Sequence, residues 1–189
     1  MVLSVCAFSM MDVLVKWSEN YPVGQVLFFR GICGLIPIFF LIPKEKYKNF
    51  YKTDRPKLHF ARCAAGLMAI VSIFIALRNL PLATVVSISF AAPIFATILS
   101  IYFLSEKIGK YRWLAVFIGF LGVIIITQPG ISTLNFYYIY PIIFCLGMSY
   151  VAIAIRQLST SEPVWLISFY FSLAISILGL FTVSFGWVM

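Results

Sequence analysis

Charged residues are scarce in this 189-residue chain, at 11% of the sequence, and acidic residues are scarcer than basic ones, at 6 against 14. The chain is 62% hydrophobic, whereas soluble domains are about 45–50% apolar and about 25% charged. A water-soluble fold of this size cannot bury so much apolar surface. The composition therefore excludes an ordinary soluble enzyme and a disordered segment, and it predicts an all-α, polytopic membrane protein.

Histidine and clustered cysteine are scarce as well. His59 is the only histidine, and beside Lys57 at the start of an apolar run we expect it to be a solvated residue of the membrane surface. The cysteines lie singly, without metal-ligand spacing, at Cys6, Cys33, Cys63 and Cys145. The sequence therefore predicts no metal, no cofactor and no catalytic residue, and without a phosphate-binding glycine loop it predicts no ATP coupling.

Long apolar runs are what the chain has in abundance. A membrane-spanning helix needs about 20 mostly apolar residues. Seven runs reach or approach this length, and we expect a transmembrane helix in each: 1–17, 22–42, 58–77, 82–104, 113–128, 139–155 and 164–188.

Basic residues are concentrated in alternate connections between these runs rather than on a face with aromatic residues, so a nucleic-acid partner is not expected. Six lie between the second and third runs, from Lys44 to Lys57. The next two such connections carry Lys107, Lys110, Arg112 and Arg156. Because positive connections stay in the cytoplasm, we expect a multi-pass protein of the inner (cytoplasmic) membrane with a cytoplasmic N-terminus.

Two local patterns predict packing and capping. Small residues recur at every fourth position at Ala61, Ala65 and Ala69, and again at Ala92, Ala96 and Ser100. This spacing allows helices to approach closely in lipid, and the alternative is that small residues are simply common in such helices. Hydroxyl side chains at 159–161 precede the last run, where we expect them to cap the helix start.

Several stretches together resemble a known family. They are Ala76–Ala83 with Pro81, then Pro93, Glu106–Lys107, Gly119–Val123 and Gln128–Gly130. This set resembles the EamA-type repeat of the drug/metabolite transporter superfamily. The opening stretch, with Asp12, Lys16 and Phe28–Arg30, is similar to the branch that includes bacterial S-adenosylmethionine uptake proteins.

The resemblance implies two five-helix repeats, inverted with respect to each other in the membrane, around a substrate cavity. It divides the chain into a first repeat at 1–130 and the beginning of a second repeat at 139–189. The second repeat stops after two helices, so we expect a truncated transporter. The alternative is a half-transporter that works with a second copy as a homodimer.

Ionisable residues at membrane depth are candidates for the transport path, because lipid disfavours unused charge. Ser9, Asp12, Lys16 and Glu19 follow each other at helical spacing and form one polar stripe. In the functional interpretation this stripe contacts substrate or protons, and in the structural one Asp12 and Lys16 neutralise each other. Arg30 is expected near the bilayer midplane, where it pairs with Asp12 or, in the alternative, snorkels or bonds to backbone carbonyls.

Further candidates lie in the later runs. Ser89, Pro93 and Thr97 share one helix face, and because Pro93 frees a backbone carbonyl, this face needs a neighbouring helix, a hydroxyl or a cavity. Tyr150, next to Ser149, occupies the place in the second repeat that corresponds to Asp12. Two charged residues are interpreted separately: Glu106 as a gate or loop-ordering residue, with solvated loop charge as the alternative, and Arg62 as a snorkelling anchor.

The predicted function is secondary transport of a small organic solute, amino-acid-like or nucleoside-like, by alternating access. Its partners are the lipid bilayer and the small-molecule substrate. One rival is a non-transporting membrane subunit. Another is a membrane-embedded lipid-modifying enzyme, which would need a cluster of catalytic groups that the sequence lacks.

Overall fold

The computed structural model describes residues 10, 13 and 17 and the ranges 21–42, 52–104, 109–127 and 136–182. Every element in these ranges is helical, which confirms the all-α prediction. The helices are α1 (Val23–Leu41), α2 (Pro56–Asn79), α3 (Leu82–Ser89), α4 (Ala92–Leu104), α5 (Lys110–Thr127), α6 (Ile139–Leu158, after a 3₁₀ turn at Phe136–Tyr138) and α7 (Val164–Phe181).

Six of the predicted spans fall wholly or for the most part in the described ranges, since 113–128 and 164–188 end beyond them. Four segments are long and apolar enough to cross a membrane: Pro56–Asn79, Leu82–Leu104, Phe136–Leu158 and Val164–Phe181. Two shorter apolar helices lie at Val23–Ile38 and Trp113–Gly122. The chain is therefore a polytopic membrane protein, whereas the first predicted run, 1–17, lies for the most part outside the described residues.

Prolines mark several helix starts. Pro22 and Pro81 directly precede α1 and α3 with φ near that of a helix, −57° and −59°. Pro56 is the first residue of α2. Because the first turn of a helix has no internal acceptor for its N–H groups, the missing proline N–H has no cost there.

Pro93 has a different effect, because it lies inside an apolar run. It cannot donate a hydrogen bond to the carbonyl of Ser89, so α3 ends at Ser89 and α4 begins at Ala92. Phe90 and Ala91 form a turn in which their N–H groups bond to Val86 and Ile88. The run expected to form one helix over 82–104 is therefore two helices.

The chain divides into two compact units. Unit 1 comprises 1–50 and 168–189, and in it α1 packs antiparallel to the α7 residues 168–181. A Cβ atom added to Gly31 would lie 2.8 Å from the Ser176 nitrogen and 2.9 Å from the Ser172 carbonyl oxygen. Glycine at this position allows the two backbones to approach closely, as small residues do in lipid.

Unit 2 comprises residues 51–167 and is built around α6. Helix α2 runs antiparallel to α6, and a Cβ atom added to Gly147 would lie 2.9 Å from the Ala69 Cβ and 3.0 Å from the Ala65 carbonyl oxygen. The small residues Ala65 and Ala69 are thus the contact face of α2, as their spacing predicts. Helices α3 and α4 run parallel to α6 on another side.

Candidate functional site

The interrupted span α3–α4 meets two polar side chains of α6. The Cys145 Sγ lies 3.3 Å from the Ile88 carbonyl oxygen and 3.8 Å from that of Ser89, the acceptor that Pro93 leaves without its helical donor. The Ser149 Oγ lies 2.8 Å from the Ala92 carbonyl oxygen. Both side chains are fully buried, at 0% and 1% exposure. Helix α6 therefore lies against the break, and of the neighbouring helix, hydroxyl or cavity expected for Pro93 it is the neighbouring helix that the contacts show.

The hydroxyl groups predicted to share a face with Pro93 are satisfied within their own helices. Ser89 donates to the Val85 carbonyl at 2.8 Å, and Thr97 donates to the Pro93 carbonyl at 2.9 Å. Ser89 and Thr97 are half-buried and Pro93 is exposed. Their contact with a transported solute stays a prediction.

Tyr150 faces a different part of α4 from its neighbour Ser149. Its ring lies edge-on to Phe103, with centroids 5.4 Å apart and an interplanar angle of 77°. About two turns further on, Gln157 donates to the Phe103 carbonyl at 3.2 Å. The α6 face that begins at Cys145 therefore follows the interrupted span toward its C-terminal end.

The other predicted path residues are distributed between described and undescribed parts of the chain. Arg30 is half-buried near the middle of α1, next to Gly31 of the α7 contact. The remaining ones lie outside the described residues, so the Asp12–Arg30 pair stays a prediction: Ser9, Asp12, Lys16 and Glu106.

A buried carboxylate at the start of α2 is the feature that sequence reasoning missed. Glu162, on the connection between α6 and α7, is 6% exposed. Its Oε1 accepts hydrogen bonds from the Thr53 hydroxyl and from the backbone N–H groups of Asp54, at 3.0 Å, and Arg55, at 3.3 Å. Its Oε2 contacts the His59 Nε2 in the first turn of α2.

This arrangement gives α2 the cap that its own sequence does not supply. The N-cap residue Arg55 makes no side-chain capping bond, and the first turn of α2 contains no acidic residue. The orphan N–H groups and the positive end of the helix dipole favour an anion at this place. Glu162 therefore caps a helix that begins about a hundred residues earlier in the chain.

Burial and hydrogen bonding act in opposite directions on this carboxyl group. Desolvation raises the pKa of Glu162, but the hydrogen bonds from Thr53 and His59, the charge of His59 and the Asp54 N–H lower it. The balance places the pKa below its ordinary value. Glu162 is thus a carboxylate at neutral pH, as an acceptor of several donors should be.

Three expectations are corrected by this region. His59 is 3% exposed rather than solvated, because Glu162 covers it. Arg62 is 6% exposed rather than snorkelling to the surface, because it lies one turn deeper on the packed side of α2. The hydroxyl groups expected to cap α7 instead bond back to α6 carbonyls: Ser159 to Arg156, Thr160 to Gln157 and Ser161 to Leu158.

One sequence signal could have revealed the carboxylate. Glu162 is one of only six acidic residues in the chain, and it directly precedes Pro163 in a short polar connection. A lone acid in a basic, apolar chain needs donors, and the uncapped start at Pro56 offers them.

Comparison with known proteins was made on the whole chain. The model of the EamA-like transporter family matches residues 1–128. The chain is 26% identical to the S-adenosylmethionine uptake transporter of Rickettsia felis, over 99% of the chain and 64% of that protein. It is 28% identical to the transporter of the same name from Rickettsia prowazekii, over 95% and 61%.

A second kind of relative has a different name. The chain is 30% identical to the pseudopaline exporter CntI of Pseudomonas aeruginosa, over 90% of the chain and 60% of that protein. The chain thus spans about three fifths of the length of these curated relatives.

Proposed function

Because the chain belongs to the EamA-like transporter family, we propose that it forms part of a secondary transporter that moves a small organic solute across the membrane by alternating access. The family and the relatives that are named transporters support this function over that of a membrane enzyme. The proposal concerns transport by the whole protein, of which these helices build a part.

The structural observation that carries the proposal is the interruption of the span Leu82–Leu104. Backbone carbonyls that leave the helical pattern inside a membrane are tolerated only where protein or a water-filled cavity receives them. Transporters use such interrupted helices near the bilayer midplane to bind solutes and ions. Here Cys145 and Ser149 contact the carbonyls around the break, which supports a polar region at membrane depth.

The solute class is proposed from charge. Two Rickettsia relatives are named for uptake of S-adenosylmethionine, and another relative is named for export of pseudopaline. In this chain Asp12, Lys16 and Arg30 offer both charge signs at membrane depth, which favours a zwitterion with a carboxylate and an amine. We therefore choose S-adenosylmethionine as the first probe.

The proposed location is the inner membrane, with the N-terminus in the cytoplasm. The bonds from Thr53 and Asp54 to Glu162 bring the start of α2 and the end of α6 to the same end of the two helices. The basic residues near this end are Lys52, Arg55 and Lys57 at the start of α2 and Arg156 in the last turn of α6. This supports the alternation that the positive-inside rule requires.

The test is uptake by proteoliposomes that contain the product of the complete gene. We expect saturable uptake of labelled S-adenosylmethionine, and a loss of at least about tenfold in Arg30→Ala if a midplane contact worth about 1.4 kcal/mol or more is removed. Arg156→Ala, at the exposed end of α6, is the matched control and should keep most of the uptake.

Two outcomes would redirect the proposal. Folded protein that moves neither S-adenosylmethionine nor a panel of amino acids and nucleosides would favour a non-transporting membrane subunit. Uptake by the 189-residue chain alone would instead support a half-transporter, with a second copy as its partner.

A further inference from the structure

We infer that Glu162 is a gate residue: it holds the start of α2 and the α6–α7 connection together at one end of the proposed transport path, and its release is a step of the transport cycle. This inference rests on the proposed function. It assigns a role in that function to a residue outside the predicted path.

The first support is the number and kind of donors. One carboxylate receives a hydroxyl, two backbone N–H groups and an imidazole, all from residues 53–59. Hydrogen bonds to a charged acceptor are about twice as strong as neutral ones. The contact is therefore strong when closed. Because all of its hydrogen bonds end on the single side chain of Glu162, one movement of the α6–α7 connection breaks them together.

The second support is which segments of the chain Glu162 connects. Both sides of the contact lie within unit 2, but on the repeat division predicted from the sequence residues 53–59 lead into α2 of the first repeat and Glu162 follows α6 of the second. Alternating access requires that the repeats of a transporter rearrange with respect to each other. A polar contact between repeats at the membrane surface can be exchanged for water, in contrast to a contact packed in lipid.

The third support is the place of the cluster in the chain. Unit 2 begins at Tyr51 and ends at Ile167, and Thr53 and Glu162 lie a few residues from these two limits. Glu162 thus ties together the two chain segments through which unit 2 continues into the rest of the protein. Loop residues at such limits are where hinges form.

The alternative is a permanent cap that never opens. A cross-link separates the two, because it locks a gate but leaves a permanent cap unaffected. Lys52→Cys and Ser161→Cys place thiols at exposed positions next to Thr53 and Glu162, so the carboxylate and its donors are retained. A short bifunctional thiosulfonate then joins them, in the complete protein from which the native cysteines other than the fully buried Cys145 have been removed.

We expect the cross-link to reduce S-adenosylmethionine uptake by at least about tenfold, because a required conformational step is blocked, and reduction of the link to restore it. Ser159→Cys with Ser161→Cys is the matched control, since its link lies within one connection and should leave uptake unchanged. Uptake by the Lys52–Ser161 cross-linked protein at the rate of the reduced protein would overturn the gate.

A second measurement does not depend on transport. Hydrogen exchange of the peptide that contains residues 52–60 reports on the Asp54 and Arg55 N–H groups that bond to Glu162. We expect Glu162→Ala to accelerate this exchange about tenfold, and Asp54→Asn, which removes a nearby exposed carboxylate, to leave it unchanged.

The two proposals fail in different ways. Equal protection of residues 52–60 in Glu162→Ala and in the unmodified protein would overturn the gate even if transport is intact. Absence of uptake in every sample, including the reduced and unmodified proteins, would overturn the proposed function.

Discussion

Helix α6 and its following connection hold α2 at two places by opposite means. In the middle of the pair, Gly147 fits against Ala65 and Ala69, and the atoms nearest its added Cβ are the Cβ and Cα of Ala69 and the Ala65 carbonyl oxygen. At the end of the pair, Glu162 is surrounded by donors. The first contact depends on the missing side chain of Gly147, and the second depends on the charged carboxylate of Glu162.

The surroundings explain the difference. In lipid there is no hydrophobic drive between helices, so close packing of small residues and hydrogen bonds hold them together. At the membrane surface, a carboxylate can be buried because backbone and imidazole donors compensate its lost hydration. The first contact should therefore fail when atoms are added, and the second when the charge is removed.

The largest effect is expected from filling the glycine contact. Gly147→Leu would force α2 away, because even a Cβ lies 3.0 Å from the Ala65 carbonyl oxygen. We expect little folded protein, and for Gly147→Ala a loss of about 1–3 kcal/mol in the free energy of unfolding, as for overpacked cores. Gly122→Ala is the control, since nothing lies within 4 Å of its added Cβ. Detergent melting temperatures and yields of monodisperse protein measure both, and equal Tm values for the two alanine variants would contradict the packing argument.

The next effect is the loss of the carboxylate. Glu162→Ala leaves the Asp54 and Arg55 N–H groups and His59 without their acceptor, and a lost charged hydrogen-bond partner costs about 1.5–3 kcal/mol. Glu162→Gln keeps one acceptor oxygen and should cost less. Asp54→Asn removes a nearby exposed charge and should change Tm little. A Tm for Glu162→Ala that equals that of Asp54→Asn would show that the cap does not stabilise α2.

A smaller effect on stability is expected at the interrupted span Leu82–Leu104, where packed helices also share hydrogen bonds. Ser149→Ala removes the hydroxyl that lies 2.8 Å from the Ala92 carbonyl oxygen of α4 and 2.6 Å from the Cys145 carbonyl oxygen of its own helix, and an ordinary net hydrogen bond contributes about 0.5–1.5 kcal/mol. Ser87 is the matched control, because its hydroxyl bonds at 2.7 Å to Ala83 within its own helix. Ser87→Ala should therefore be nearly neutral in the same melting assay. The bond across to α4 contributes nothing if both serines give the same Tm.

The sequence predicts the apolar contact between Gly147 and α2 better than it predicts the charged contact of Glu162. Apolar run length indicates the spans, four-residue spacing indicates Ala65 and Ala69 as a contact face, and proline chemistry indicates a disturbance at Pro93. Each of these signals is local, because a helix presents neighbouring turns on one face.

The charged contact of Glu162 joins residues that lie far apart in the sequence. The hydropathy pattern locates His59 and Arg62 near the membrane surface and suggests that their side chains are hydrated. It contains no information on which other residues bury them. The cover is Glu162, 103 residues after His59. A partner at that distance follows from the packing of α2 on α6 rather than from any pattern near His59.

The smallest expected effect, and the one that separates the two contacts by their chemistry, is on the pH dependence of stability. Folding lowers the pKa of Glu162 below its ordinary value of 4.5. A carboxyl group of this kind contributes its stabilisation fully above the unfolded pKa and loses it as the pH falls through the folded one. The Tm deficit of Glu162→Gln should therefore persist from pH 7 to about pH 5 and shrink below the ordinary carboxyl pKa. The contact of Gly147 involves no titrating group, so the Tm deficit of Gly147→Ala should stay constant over the same pH range. A Glu162→Gln deficit that is equally independent of pH would mean that the carboxylate acts by its shape, as the glycine does, and not by its charge.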